Sequence, residues 1–352
     1  MRIALIRRSY ITYLDGVNRF VALLAEGFSK LGHEPLILSW CYGGVDKERL
    51  EEWFKEMHGL DNAIPIYTLR SKPFEQGSWM RMAWDWWTRG SKLLRKECMD
   101  AAIVNGIIPL RFKPKIAVIH DLGPALTLIK FHAKVGSSLL KGYDKCVAVS
   151  DKTKRELLLF SRASCEVIPI PMKLGLFKPA ELGKREDLIV HIGTRPVKNP
   201  QISVEAVRIL KRRYNVRLVV VGTPAKHLKG EEVEWRHGIS EKEKLELLSR
   251  AKALILPSSY EGFSYACLEA MASGTPVVVS SAVPEEVVID GFNGLRVNSY
   301  DPKDYANALE RLLRNEELWS KISKNCLEFV KQFNHIEVAK RYVSLIREIY
   351  ER

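Results

Sequence analysis

Short runs of aliphatic residues alternate with stretches of helical periodicity along the first half of the chain. Five runs predict buried strands, at residues 3–6, 35–38, 101–104, 116–119 and 146–149. After the first run, residues 17–31 carry apolar side chains at the spacing of one helical face and are followed by Gly32, a frequent helix-terminating residue. Alternation of strand and helix predicts a parallel sheet with crossover helices.

The second half of the chain repeats this alternation. Strands are predicted at 188–192, 217–221, 253–256 and 276–279, and helices at 201–213, 241–251 and 265–273. Residues 168–179 contain three prolines, which interrupt regular pairing and indicate a linker. We therefore predict an α/β protein with two doubly wound, Rossmann-like domains that face each other across a cleft, with ligands at the carboxyl ends of the strands.

Length and composition agree with two domains of a globular protein. The chain has 352 residues, of which 46% are hydrophobic and 28% charged. The longest uncharged stretch, 270–284, has 15 residues, whereas a membrane-spanning helix requires about 20. The first apolar run is too short for a signal peptide, so we expect a cytoplasmic protein. Six cysteines without a Cys-x-x-Cys pair predict buried, reduced thiols rather than a zinc site or disulfides.

Positive charge is concentrated in the first half. The formal net charge is +13, of which residues 1–180 carry +10, and the excess is greatest between 111 and 145. The preceding segment contains Trp79, Trp84, Trp86 and Trp87. Aromatic residues beside basic clusters are typical of proteins that bind anionic membranes. The alternatives are a buried aromatic core below a solvated basic face and a nucleic-acid-binding module, although no recognition motif accompanies the charge.

Several common ligand-binding motifs are absent from the sequence. It contains no Gly-x-Gly-x-x-Gly, no Walker A loop and no His-Glu-x-x-His. It also lacks an Asp-x-Asp pair, the usual means of holding a divalent metal on a sugar nucleotide. A dinucleotide dehydrogenase therefore has little support, and we expect no essential metal or cofactor.

The segment 256–279 carries the most informative candidates for chemistry. A predicted strand ends at Leu256, and a helix begins near Ser264. Glu261 lies in the loop between them, where a ligand would bind. Glu269 lies within an otherwise mainly apolar helix, where an ionised carboxylate requires a polar partner. The free N–H groups of residues 262–265 can bind an anion such as phosphate.

This segment resembles the Glu-x7-Glu signature of family 4 of the retaining glycosyltransferases, which have the GT-B fold. Glu261 and Glu269 are separated by seven residues and followed by Ala-Met-Ala-Ser-Gly-Thr-Pro-Val-Val. Four further segments are similar to the family: 283–297 with Glu286, the loop 191–199, 116–121 with His120, and 147–150. The resemblance extends over essentially the whole chain.

The resemblance implies roles for these residues. Glu261 would hydrogen-bond the donor sugar near its anomeric carbon, and Glu269 would accept hydrogen bonds from both ribose hydroxyls. Arg195 and Lys198 would neutralise the departing diphosphate in place of a metal ion, and His120 would line the space between donor and acceptor. The further donor-binding residues implied are Gly16, Gly193, Gly262, Phe263, Ser264 and Tyr265.

The sequence departs from the family pattern at a few positions. Asp15 precedes Gly16 where a second glycine is usual, and Ser264 stands where glycine is common. Arg195 and Lys198 are closer together than is usual in the family, and the linker lacks the frequent Asn-Gly after Ile-Pro. Neither signature glutamate is affected.

We therefore predict a metal-independent, retaining glycosyltransferase that moves a hexose from a nucleoside-diphosphate sugar to a glycan or lipid-linked acceptor. Residues 1–170 would form the acceptor-side domain, 171–335 the nucleotide-sugar domain, and 336–352 a helix that crosses back to the first domain. We expect peripheral binding to the cytoplasmic face of an anionic membrane and no nucleic-acid partner. Two alternatives stay open: an epimerase or hydrolase of sugar nucleotides with the same fold, and a non-catalytic nucleotide-sugar-binding protein.

Overall fold

The computed structural model describes residues 1–12, 15–41, 46–70, 79–122, 136–159, 161, 163–223 and 233–351. The Trp79 side chain and residues 123–135 of the basic stretch lie outside this description. The chain divides into two compact units: unit 1 is Met1–Lys173 with Phe333–Arg352, and unit 2 is Leu174–Gln332. Each unit contains one parallel sheet, and this confirms the predicted α/β class.

Seven strands form the sheet of unit 1: β1 (Arg2–Tyr10), β2 (Glu34–Cys41), β3 (Ile66–Arg70), β4 (Ala101–Asn105), β5 (Lys115–Ile119), β6 (Lys145–Ala148) and β7 (Cys165–Val167). They are parallel, in the order β3-β2-β1-β4-β5-β6-β7. The order reverses between β1 and β4, which places the topological switch point there. Strands β4 and β5 are buried along their whole length and therefore form continuous, mainly apolar runs.

Six strands form the sheet of unit 2: β8 (Glu186–Ile192), β9 (Arg217–Val221), β10 (Val233–Arg236), β11 (Ala251–Leu256), β12 (Val277–Ser280) and β13 (Gly294–Val297). Their order is β10-β9-β8-β11-β12-β13, so the switch point lies between β8 and β11. The sequence prediction identified the nine inner strands and missed β3, β7, β10 and β13. Within the described part of the chain these four are the edge strands, with one neighbour each, and they lack a long, fully buried apolar run.

The described helices are α1 (Gly16–Lys30), α2 (Leu50–His58), α3 (Trp79–Asp85), α4 (Ser91–Lys96), α5 (Asp151–Leu158), α6 (Pro200–Lys211), α7 (Glu241–Arg250), α8 (Tyr265–Ala272), α9 (Pro302–Arg314), α10 (Glu316–Phe329) and α11 (His335–Tyr350). A π-helical turn between α3 and α4 buries Trp86. No helix within the described ranges is long and apolar enough to cross a bilayer.

The final helix, α11, belongs to unit 1, although the chain passes through unit 2 before reaching it. It packs on α1 at Gly27, where a Cβ atom would lie 2.5 Å from the carbonyl oxygen of His335. The backbone N–H of Met172 donates to the carbonyl of Phe333, and that of His335 donates to the carbonyl of Met172 at 2.9 Å. The two connecting segments are therefore hydrogen-bonded to each other within unit 1.

The expectation that all six cysteines are reduced is wrong for one pair. Cys146 and Cys165 lie opposite each other on β6 and β7, with Cα atoms 4.6 Å apart, and form a disulfide. Adjacent positions on paired strands bring two thiols together whatever their separation in sequence. Cys267 and Cys326 are buried free thiols, as expected, and burial raises the pKa of Cys267 to about 12. Cys98 is a free thiol but is exposed, so the expectation of burial is wrong for this residue.

Candidate active site

Two loops of unit 2 meet beyond the carboxyl ends of β8 and β11. The chain after β8 forms a 3-10 turn, Pro196–Lys198, and the chain after β11 leads into α8. Asn199 Nδ2 donates to the carbonyl oxygen of Pro257 at 2.8 Å, and the N–H of Ser259 donates to that of Val197 at 2.8 Å. These bonds tie the loops together at the switch point, so their side chains share one site.

An ion pair between Lys198 and Glu261 lies at the centre of this site. Lys198 Nζ is 2.5 Å from Glu261 Oε1, and both side chains are largely buried. The hydroxyl of Ser258 donates to the same Oε1 at 2.7 Å, and its own carbonyl accepts from Ser280 Oγ at 2.5 Å. Gly193 has φ of +98°, and a Cβ there would lie only 3.2 Å from Lys198 Cγ. The cation and carboxylate predicted to contact different parts of a donor thus contact each other here.

Arg195 lies on the same loop as Lys198, one residue before the 3-10 turn. Its side chain is exposed, in contrast to that of Lys198. The loop therefore presents one cation that is held in place by a carboxylate and one that extends into solvent.

Helix α8 begins directly after these groups. Ser264 is its N-cap, with φ of +116°, and its hydroxyl accepts from the N–H of Cys267 at 3.4 Å. Such a φ is uncommon for a residue with a side chain. Gly262 and Phe263 precede the cap, Phe263 being buried, and Tyr265 is the first helical residue. The N-terminus of this helix adds a partial positive charge beside the Lys198 ammonium.

Glu269 lies deeper in α8 and is almost completely buried. Its Oε2 is 2.9 Å from Nζ of Lys244, a residue of α7, which also donates to Glu241 Oε1 at 2.8 Å. Lys244 is therefore a polar partner of the kind that a carboxylate in this apolar helix requires.

In unit 1, His120 follows β5 and contacts Asn105 at the end of β4. Its Nε2 lies 2.8 Å from Asn105 Oδ1, and Asn105 Nδ2 donates to the carbonyl of Ile6 at 3.1 Å. The latter bond orients the amide, so Nε2–H donates to Oδ1 and Nδ1 carries the lone pair. Burial, helped by the charge of Arg7, lowers the pKa of His120 to about 3. The ring is therefore neutral at neutral pH.

Gly16 is the first residue of α1, and the side chain of Asp15 caps this helix. The Asp15 carboxylate accepts from the N–H of Asn18 at 2.8 Å and pairs with Arg7 Nη2 at 2.6 Å. A carboxylate thus occupies the helix end that would otherwise attract an anion. Among the described residues, no group of three or more His, Cys, Asp or Glu could hold a metal ion.

The sequence did not identify several residues that contact the predicted ones, among them Ser258, Lys244 and Asn105. Ser258 had a local signal, as a hydroxyl residue three positions before Glu261 in the same loop. The other two had none, because each meets its partner only through the fold.

Solved structures of the same architecture identify the class of fold. The chain superimposes on sucrose-phosphate synthase from Thermosynechococcus elongatus with a TM-score of 0.83 at 20% identity, over 100% of this chain and 99% of that one. It superimposes on Anabaena Alr3699/HepE, solved in complex with UDP and glucose, with a TM-score of 0.78 at 16% identity, over 99% and 100%. The fold is GT-B, as predicted.

Two family models together match most of the chain. Residues 14–173 match the model described as Glycosyltransferase Family 4, and residues 176–328 match Glycosyl transferases group 1. The chain therefore belongs to glycosyltransferase family 4, and the resemblance found in the sequence is confirmed.

Relatives in this family have varied acceptors in their names. The D-inositol 3-phosphate glycosyltransferase of Nocardioides sp. is 26% identical over 59% of this chain and 54% of its own length. The MMP alpha-(1->4)-mannosyltransferase of Mycolicibacterium hassiacum is 35% identical over 42% and 39%. A phosphatidylinositol N-acetylglucosaminyltransferase component from Arabidopsis thaliana is 23% identical over 89% and 74%. The matched region spans about half of the length of the first relative and about two fifths of the length of the second.

Proposed function

We propose that the protein transfers a hexose from a nucleoside-diphosphate sugar to a glycan or lipid-linked acceptor, with retention of configuration and without a metal ion. The observation that carries this proposal is the Lys198–Glu261 pair beside the N-terminus of α8. It combines a cation and a helix N-terminus, suited to a diphosphate, with a carboxylate suited to sugar hydroxyls. The UDP and glucose bound to the Anabaena protein support the same class of donor.

In the proposed reaction, the bond between the anomeric carbon and the diphosphate oxygen breaks as the acceptor oxygen bonds to the same face of the sugar. The acceptor hydroxyl gives its proton to the departing phosphate oxygen. Arg195 and Lys198 would stabilise the charge that develops on the diphosphate. Glu261, oriented by Ser258, would accept hydrogen bonds from sugar hydroxyls. The neutral His120 ring would accept a hydrogen bond from a substrate hydroxyl at Nδ1.

The test is transfer from UDP-, GDP- and ADP-hexoses to oligosaccharide and polyprenyl-phosphate acceptors in the presence of EDTA. We expect a product whose anomeric configuration, read by NMR, equals that of the donor. Glu261→Gln should lower kcat about a hundredfold or more, as loss of a transition-state contact does. Glu285→Gln, at an exposed carboxylate, is the matched control.

Three outcomes would contradict the proposal. Accumulation of free sugar without acceptor product would favour a hydrolase, and an altered sugar nucleotide would favour an epimerase. Donor binding that survives Glu261→Gln without turnover by the wild type would indicate a binding protein.

A peripheral membrane location is part of the proposal. Trp84 is 67% exposed and Met80 is 81% exposed on α3, and Trp87 is partly exposed below the guanidinium of Arg111, 4.2 Å from its ring centroid. Arg81 on α3 and three basic residues of α4, Lys92, Arg95 and Lys96, are exposed as well. Aromatic groups with adjacent cations suit the interface of an anionic bilayer on the cytoplasmic side.

Vesicle sedimentation tests this location. The protein should bind phosphatidylglycerol-containing vesicles at low salt, bind neutral vesicles weakly, and lose most binding in Trp84→Ala. Phe292→Ala, which removes an exposed aromatic of unit 2, is the control. Equal binding by both variants, or no binding to anionic vesicles, would refute the membrane assignment.

A further inference from the structure

Lys244 occupies a position that helix electrostatics disfavour. Helix α7 begins with a capping box, in which the Ser240 hydroxyl accepts from the Glu243 N–H at 3.2 Å and the Glu243 carboxylate accepts from the Ser240 N–H at 2.8 Å. Lys244 follows within the first turn, where the helix dipole favours negative rather than positive charge. Its side chain is nevertheless 13% exposed and turned away from solvent. Its pair with Glu241, three residues earlier on the same helix, offsets part of this cost.

The ammonium of Lys244 lies between two carboxylates. It is 2.8 Å from Glu241 Oε1 and 2.9 Å from Glu269 Oε2, whose side chain is only 3% exposed. A lysine ammonium has three N–H donors, and two of them are directed at these oxygens. The third can donate to an oxygen of a ligand that reaches Glu269.

We propose that Lys244 is a specificity residue for the ribose of the donor. Its ammonium donates a hydrogen bond to the oxygen of one ribose hydroxyl while the same hydroxyl donates to Glu269. This inference rests on the proposed function, in which Glu269 holds the ribose. A hydroxyl is donor and acceptor at once, so the Glu269–Lys244 pair satisfies both of its roles.

A deoxyribose would leave this pair without its ligand partner. The two groups are largely buried, and a buried charged group that loses a hydrogen bond costs more than the bond contributes when formed. The pair therefore binds ribonucleotides more tightly than deoxyribonucleotides. A solvent-exposed carboxylate would give a smaller difference in affinity, because water could replace the missing hydroxyl.

The experiment measures Kd by calorimetry on the full chain. The diphosphate that binds best among UDP, GDP and ADP is compared with its 2′-deoxy and 3′-deoxy forms. The variants are Lys244→Met, Lys244→Gln, Glu269→Gln and, as a matched control on the same helix, Lys242→Met, whose side chain is 86% exposed. Lys244→Met should weaken ribonucleotide binding about tenfold, the effect of one charge-assisted hydrogen bond.

The ratio of deoxy to ribo Kd decides the proposal. For one of the deoxy forms, this ratio should fall in Lys244→Met, take an intermediate value in Lys244→Gln, and stay at the wild-type value in Lys242→Met. Equal weakening of both nucleotides, or a wild-type ratio in either Lys244 variant, would overturn it. If Glu269→Gln weakens binding but the ratio of deoxy to ribo Kd is unchanged in the Lys244 variants, only this inference fails. If no diphosphate binds to the wild type, or Glu269→Gln has no effect, the assignment of the donor site fails with it.

Discussion

Arg185 joins the two helices that carry the buried Lys244–Glu269 pair, and its substitution should lower the free energy of unfolding. It directly precedes β8 and is 8% exposed. Its guanidinium donates to the carbonyl of Ala251, the C-cap of α7, at 2.8 Å and to that of Ser273, the C-cap of α8, at 2.7 Å. It also donates to Thr275 Oγ1 at 2.6 Å and lies 4.8 Å from the ring centroid of Trp319.

The expected loss follows from these contacts. In Arg185→Met, the two helix-terminal carbonyls lose their hydrogen-bond donor. Each buried carbonyl left without a donor lowers the free energy of unfolding by about 2 kcal/mol. The cation–π contact adds about 1 kcal/mol. Burial lowers the pKa of Arg185 to about 10, so burying its charge is costly, and relief of that cost returns roughly 3 kcal/mol at about 1.4 kcal/mol per pKa unit. The net loss in the free energy of unfolding is about 2 kcal/mol.

Urea unfolding of the full chain, followed by circular dichroism and tryptophan fluorescence, measures this loss. The transition that contains unit 2 should lose about 2 kcal/mol of unfolding free energy, or roughly 5 °C in melting temperature. Arg185→Lys should lose about half as much, because a single ammonium cannot reach both carbonyls. Arg314→Met, at an exposed arginine 3.7 Å from the Glu310 carboxylate, should change stability by less than about 0.5 kcal/mol.

The result that refutes this reasoning is a loss below about 1 kcal/mol in Arg185→Met, or a lysine variant as stable as the wild type. Either would mean that the helix ends find other donors when the guanidinium is absent. Nucleotide binding offers a second check, because displaced helix ends should also weaken the site built on α7 and α8.

Three further predictions concern single features. Ser258→Ala should lower kcat about tenfold with little change in melting temperature, because Glu261 loses an orienting hydrogen bond; an unchanged kcat, measured as diphosphate release, would contradict this. Cys165→Ala should reduce stability by about 3 kcal/mol, since it opens the loop closed with Cys146, and thiol titration of denatured wild type should yield two more thiols after reduction; equal counts would exclude the disulfide. Burial lowers the pKa of His191 to about 4, so the unfolded chain binds the extra proton below pH 6.5. The stability that this residue contributes is complete above pH 6.5 and should fall by about 1.4 kcal/mol per pH unit towards pH 4 in urea titrations, a slope that His191→Gln should reduce.

Most of the architecture was predictable from the sequence because the inner strands are buried on both faces and therefore consist mainly of apolar residues. Strands such as β4 and β11 lie between other strands and form nearly continuous apolar runs. The edge strands β3 and β10 are partly exposed, and their composition does not distinguish them from loops. The element that returns to unit 1 at the end of the chain was predictable only through the family resemblance, since no local pattern tells which sheet a helix joins.

The candidate active site was also predictable only in part. The Glu-x7-Glu spacing, a loop at a strand end and the N-terminus of α8 are local features, and the sequence by itself was enough to predict them. Only the tertiary structure decided which residues contact the predicted ones: Lys244 contacts Glu269, Lys198 contacts Glu261, and Asn105 contacts His120. It likewise decided the disulfide between β6 and β7. A pattern along the chain reports how buried a residue is and which element it belongs to, whereas the identity of its partner depends on strand order and helix packing.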